Sequence, residues 1–128
     1  MTLLLDTHTF LWFCQDDPAL SASARILLEN PDHRKLVSLA SCWEIAIKAG
    51  LGKLNLGESC ESYIPNALTR CVFELLPISL AHITAVEALP RYHRDPFDRM
   101  LLAQAKVEGF PIVSGDIAFD DYGFTRLW

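Results

Sequence analysis

The sequence predicts an α/β domain built on a mainly parallel sheet. Three observations lead there. Short apolar runs alternate along the chain with segments of helical character. The 128 residues are 51% hydrophobic and 21% charged, enough apolar material for a sizeable core and too much for a disordered chain. Acidic residues stand where strands end or helices begin, and a parallel sheet gathers those points at one edge, where ligands bind. Residues 1–128 are therefore expected to form a single domain.

The elements follow in order. Thr2–Leu5 reads as a short buried strand and Thr7–Gln15 as a helix with Phe10, Leu11, Trp12 and Phe13 on its bulky face, broken by Asp16-Asp17-Pro18. Ser21 caps a second helix through Arg25 and Leu28, which stops near Asn30-Pro31. Leu36–Ala40 is the next strand, and Ser41 caps a helix from Cys42 to Ala49 that ends at Gly50. After a loop at Leu51–Leu54, a helix covers Ser59–Arg70 and a strand Phe73–Ile78. Ser79 or Leu80 starts a helix to Leu89, and Pro90–Asp95 forms a loop. Pro96–Glu108 carries the clearest helix signals: Asp95 as N-cap, Pro96 at the first position where its missing N–H costs nothing, and Gly109 as the stop. Ile112-Val113 is a further strand, and Phe124–Leu127 an edge strand.

Four carboxylates fall on the sheet edge this order creates. Asp6 ends Leu3-Leu4-Leu5, Glu44 lies just past the second strand, Asp98 opens the last long helix, and Asp116 follows Ile112-Val113-Ser114-Gly115. Each also has an ordinary explanation. Ser41-Cys42-Trp43-Glu44 fits a capping box, and Glu44 with Lys48 fits an i,i+4 ion pair. Asp95 needs no role beyond its cap, Asp98 sits where the helix dipole welcomes an anion, and Asp6 and Asp116 suit a cap and a turn. Their convergence points further. Two carboxylates about 4 Å apart repel by roughly 4 kcal/mol at an effective dielectric near 20. Unless a cation joins them, one tends to take up a proton. Hard oxygen ligands of this kind suit Mg²⁺ or Mn²⁺, as one ion or two.

Charge and composition exclude other classes. The net charge is −5, from 16 acidic and 11 basic residues. That argues against broad phosphate neutralisation, though not against a nuclease that grips phosphate through a metal. The densest positive segment is Arg91-Tyr92-His93-Arg94, with Arg99 just beyond. Arg91, His93 and Arg94 are candidates for a phosphate backbone and Tyr92 for a base, against the plainer reading of a solvated loop. His8, His33 and His82 lack metal-ligand spacing, and Phe10, Trp12, Phe13 and Trp43 read as core. Cys14, Cys42, Cys60 and Cys71 form no CxxC pair and read as reduced, mostly buried thiols. No apolar stretch is long enough to span a bilayer, and the N-terminus lacks a basic n-region, so a cytoplasmic protein with no membrane partner is expected.

LLLDTHTFLW, SLASCWEIAIKAGLGKL, LPISLAHITAVEALPRYHRDPFDRMLLAQAKVEG and PIVSGDIAFDDYG resemble the PIN-domain family, in particular its VapC-type toxin ribonucleases. The likeness runs from Leu3 to about Leu127. It implies a three-layer α/β/α sandwich and Mg²⁺- or Mn²⁺-dependent hydrolysis of RNA. It also implies a homodimer, and often a small antitoxin partner. Carried onto this chain, the family's four acids fall on Asp6, Glu44, Asp98 and Asp116. Asp95 is an additional acid of the HRDPFDR segment, and Phe119-Asp120-Asp121 stands where relatives often place an Asp before a Phe. On this reading Asp6, Asp98 and Asp116 hold metal, directly or through water, and Glu44 joins them or positions the attacking water. Thr7 and Ser114 orient carboxylates. Two other readings remain: a receiver-like phosphotransfer domain with Asp6 as phospho-acceptor, and a non-catalytic module that acts through a partner.

Overall fold

The computed structural model describes residues 1–128. Strands β1 (Thr2–Leu5), β2 (Arg34–Ser38), β3 (Glu74–Leu76), β4 (Ile112–Val113) and β5 (Arg126–Leu127) form one sheet in the order β3-β2-β1-β4-β5. Every neighbouring pair is parallel. Helices α1 (Thr7–Cys14), α2 (Ala22–Glu29), α3 (Leu39–Gly50), α4 (Cys60–Cys71), α5 (Leu80–Glu87) and α6 (Pro96–Glu108) connect them.

Two cores flank the sheet, because side chains alternate along a strand. Leu3, Leu5, Val37 and Val113 pack with Phe10, Leu28, Ile45 and Ala67 from α1 to α4. Leu4, Leu36 and Ile112 pack with Leu101, Leu102 and Ala105 of α6. The result is the expected three-layer α/β/α sandwich. The strand order also separates it from receiver-like folds, which run 2-1-3-4-5.

Several boundaries differ from the sequence reading, each for a tertiary reason. β2 begins two residues earlier and ends at Ser38, because its register follows β1, with Leu5 opposite Val37. Ser38, not Ser41, is therefore the N-cap of α3, and its side chain accepts from Ala40 N at 3.0 Å. Glu44 then lies in the second turn, too far along for the capping box. Ser41 Oγ is buried with no hydrogen-bond partner. A capping box does form at α5, where Ser79 and His82 exchange bonds of 3.0 and 3.3 Å. A 3₁₀ segment at Ile117–Tyr122, absent from the sequence reading, is capped by Asp116 and closed by Gly123 at φ 73°. Trp43, expected in the core, is 63% exposed.

Replacing Ser38 by Ala should cost about 1 kcal/mol in urea unfolding. Replacing Ser41 by Ala should be neutral or slightly stabilising, because it removes an unpaired buried hydroxyl.

Candidate metal centre

The strand order reverses beside β1: β2 and β3 lie to one side, β4 and β5 to the other. Such a switch point opens a crevice at the carboxyl ends of the strands. Asp6 leaves β1 there, and Ser114 to Asp116 leave β4. A cleft of about 120 Å³ lies at this point, lined by Asp6, Thr7, His8, Glu44, Lys48, Asp95, Asp98 and Asp116 and by no hydrophobic residue. All four acids singled out in the sequence line it.

Asp6 is 7% exposed and is fixed through both oxygens. Oδ1 accepts from Thr9 N at 2.9 Å as the cap of α1, and Oδ2 accepts from Ser114 Oγ at 2.5 Å. Ser114 in turn accepts from Asp116 N at 3.0 Å, so one hydroxyl ties the ends of β1 and β4 together. Glu44, 5% exposed, accepts from Thr7 Oγ1 and from Lys48 Nζ, each at 2.6 Å. Glu44 lifts the Lys48 ammonium above the usual lysine range. Asp116 caps the 3₁₀ segment, with Oδ1 accepting from Ala118 N at 3.0 Å. A Cβ at Gly115 would come to 2.9 Å from the Trp128 ring, so any side chain there requires that ring to move.

Asp95 caps α6 as expected, accepting from Phe97 N and Asp98 N at 2.8 and 3.2 Å. It also lines the cleft. Asp120 does not: Arg126 holds it in a fork of 2.8 and 3.0 Å, which keeps its carboxyl below the usual range. Asp98 bears the electrostatic strain. Burial first, then Asp95, Asp6 and Glu44, push its carboxyl from 3.8 to about 7, against an opposing pull from His93.

The basic segment divides. His93 Nε2 lies 3.4 Å from Asp116 Oδ2, its ring stacks on Phe119 at 5.1 Å, and its backbone N–H donates to the Tyr122 hydroxyl at 2.6 Å. Ligand atoms of His93, Asp98 and Asp116 lie within 4.8 Å of one another. Arg91, His93 and Arg94 line an adjoining pocket of about 750 Å³ with Trp43 and Phe97, and none of the four acids does. Arg99 is spent on structure: it donates to Val86, Leu89 and Pro90 carbonyls at 3.1, 3.4 and 2.8 Å. His8, which lacks metal-ligand spacing, nevertheless lines the cleft and stacks on Trp12 at 5.4 Å, an i,i+4 pairing that its position on α1 allows.

The donor set fits a hard divalent cation. Five carboxylates face one lysine in a wholly polar cleft, leaving negative charge with no internal partner. Oxygen ligands predominate, with an imidazole nitrogen in reach.

A model of the PIN domain matches residues 3–125, and the chain belongs to that family. A 69-residue stretch is 39% identical to Ribonuclease VapC16 of Mycobacterium tuberculosis, covering 51% of this chain and 49% of that protein. The match thus spans about half the length of that relative. VapBC2 from Rickettsia felis, solved bound to a DNA fragment from its promoter, superposes with a TM-score of 0.75 at 18% identity, over 99% of this chain and 98% of that one. A toxin–antitoxin complex from Klebsiella pneumoniae gives 0.60 at 16% identity, over 90% and 87%. At these identities the structural likeness establishes the fold.

Between pH 3.8 and about 7 the folded chain holds a proton on Asp98 that the unfolded chain releases. This group's stabilising contribution is full at low pH and is lost as pH rises through that window. In EDTA, the melting temperature of the wild type should therefore fall with rising pH relative to Asp98→Asn. Above the window, adding divalent cation should restore stability, by about 2.7 kcal/mol at a hundredfold excess over Kd.

Proposed function

We propose that this chain is a divalent-metal-dependent endoribonuclease of the VapC toxin type, acting in the cytoplasm. The observation that carries the reading is the convergence of Asp6, Glu44, Asp98 and Asp116 on one wholly polar cleft. Family membership and the 39% identity to a ribonuclease over half its length support it.

On this reading Asp6, Asp98 and Asp116 hold one or two Mg²⁺ or Mn²⁺ ions, directly or through water, with Asp95 contributing charge and His93 within reach of the same site. When bound, the cation polarises the phosphoryl oxygens and acidifies nearby water. Glu44, fixed by Thr7 and Lys48, retains a free lone pair on each oxygen to orient a water and take its proton. That water attacks phosphorus in line with the P–O3′ bond, which breaks to leave a 5′-phosphate and a 3′-hydroxyl. Arg91 and Arg94, exposed at the mouth of the neighbouring pocket, take the RNA backbone. Ser114 fixes the inner carboxylate and so sets the spacing of the site.

Protein partners belong to the same proposal. Leu39, Trp43 and Ile47 are exposed at i, i+4 and i+8 along α3, and Leu80 and Ile83 are exposed on α5. Such a surface suits a second copy of the chain or a small antitoxin. The toxin–antitoxin complexes among the structural neighbours support a partner of that kind. The phosphotransfer alternative is disfavoured, because the strand order is wrong for a receiver-like fold.

Purified protein should cleave single-stranded RNA with Mg²⁺ or Mn²⁺ and stop when EDTA is added. Asp98→Asn should lower the rate on the order of a hundredfold or more while the circular dichroism spectrum stays unchanged. Full activity in that variant would overturn the assignment. Replacing Arg91 and Arg94 together by Ala should weaken RNA binding and flatten its dependence on salt, measured by fluorescence anisotropy.

A further inference from the structure

Two half-buried thiols outside the acid cleft meet at the ends of two helices. Cys14 is the last residue of α1 and Cys71 the last of α4. They are 57 positions apart, and Cys71 Sγ lies 3.3 Å from Cys14 Sγ. That is sulfur-to-sulfur contact, against about 2.05 Å for a bond. Arg70 donates to the Cys14 carbonyl at 3.1 Å, which sets a guanidinium beside the pair. Nothing in the proposed RNA chemistry uses either thiol.

We propose that Cys14 and Cys71 form a reversible disulfide that clamps the C-terminal end of α1 to that of α4. Small-molecule disulfides are the oxidant class that fits. Cys71, next in the chain to the Arg70 guanidinium that reaches across to the pair, is the first attacker. Burial and the neighbouring Cys71 push the Cys14 thiol well up, so it ionises less readily. Cys71 sulfur bonds to one sulfur of the small disulfide, breaking its S–S bond and releasing one small thiol. Cys14 then gives up its proton, bonds to Cys71 sulfur, and expels the second small thiol. Two protein thiols are oxidised and one small disulfide is reduced to two thiols.

The link closes a loop over residues 15–70 and constrains the unfolded chain across 57 positions. It should raise the melting temperature by about 5–10 °C. The test treats the full chain with oxidised glutathione and maps peptides without reduction. The expected product is a Cys14–Cys71 linked peptide, two hydrogens lighter than its reduced parts. It should be accompanied by the rise in melting temperature, with both reversed by dithiothreitol. Cys14→Ser and Cys71→Ser should each abolish the linked peptide and the shift. A glutathione adduct that persists on Cys71 in the wild type would overturn the proposal, as would linkage through Cys42 or Cys60. Because mass and melting temperature are the readouts, the result stands apart from whether the chain cleaves RNA.

Discussion

Strand β1 is the constraint on which everything else is hung. Leu3, Leu4 and Leu5 are all fully buried, with Leu3 and Leu5 in one core and Leu4 in the other. A slip of one residue would exchange the two faces and carry Asp6 with them. β2 and β4 take their registers from this strand, with Leu5 opposite both Val37 and Val113. The residues that follow those strands therefore emerge level with Asp6. The acid cleft results from a register fixed by hydrophobic burial.

Rival readings of the acids in the sequence turn out to be compatible, because a carboxylate has two oxygens. Asp6, Asp95 and Asp116 each cap a helix or 3₁₀ segment through one oxygen, and each also borders the cleft. Capping at helix N-termini places peptide dipoles behind these carboxylates and lowers the cost of gathering them. Asp98, in the first turn of α6, shares that dipole but caps no helix. It is partly buried and surrounded by like charge, which drives its carboxyl far above the ordinary range.

What the sequence made legible was local. Asp95, Pro96 and Gly109 bracket α6 by backbone chemistry alone, and the helix runs as those signals indicate. Asp6, Asp98 and Asp116 were legible because each sits at a junction of strand or loop and helix, whereas Glu44, in the second turn of α3, was legible only through the family resemblance. What escaped was decided at a distance. Ser38 and Ser41 are equally good caps locally, and pairing with β1 chose between them. The contact of His93 with Asp116 spans 23 positions and depends on the 3₁₀ segment holding both. That segment had a signal, Asp116 before it and Gly123 after it, but no apolar period to announce it. Trp43 looked like core by residue type, and only the packing of α3 turned it outward.

Arg99 binds three carbonyl groups at the end of α5 and the loop beyond it, from one turn inside the helix that carries Asp98. Backbone from Val86 to Pro90 is thereby bolted to the base of α6, and Arg91 begins one residue past the bolt. The acid and the start of the basic loop thus share one anchor, the Arg99 guanidinium, which fixes the spacing between the carboxylates and the arginines.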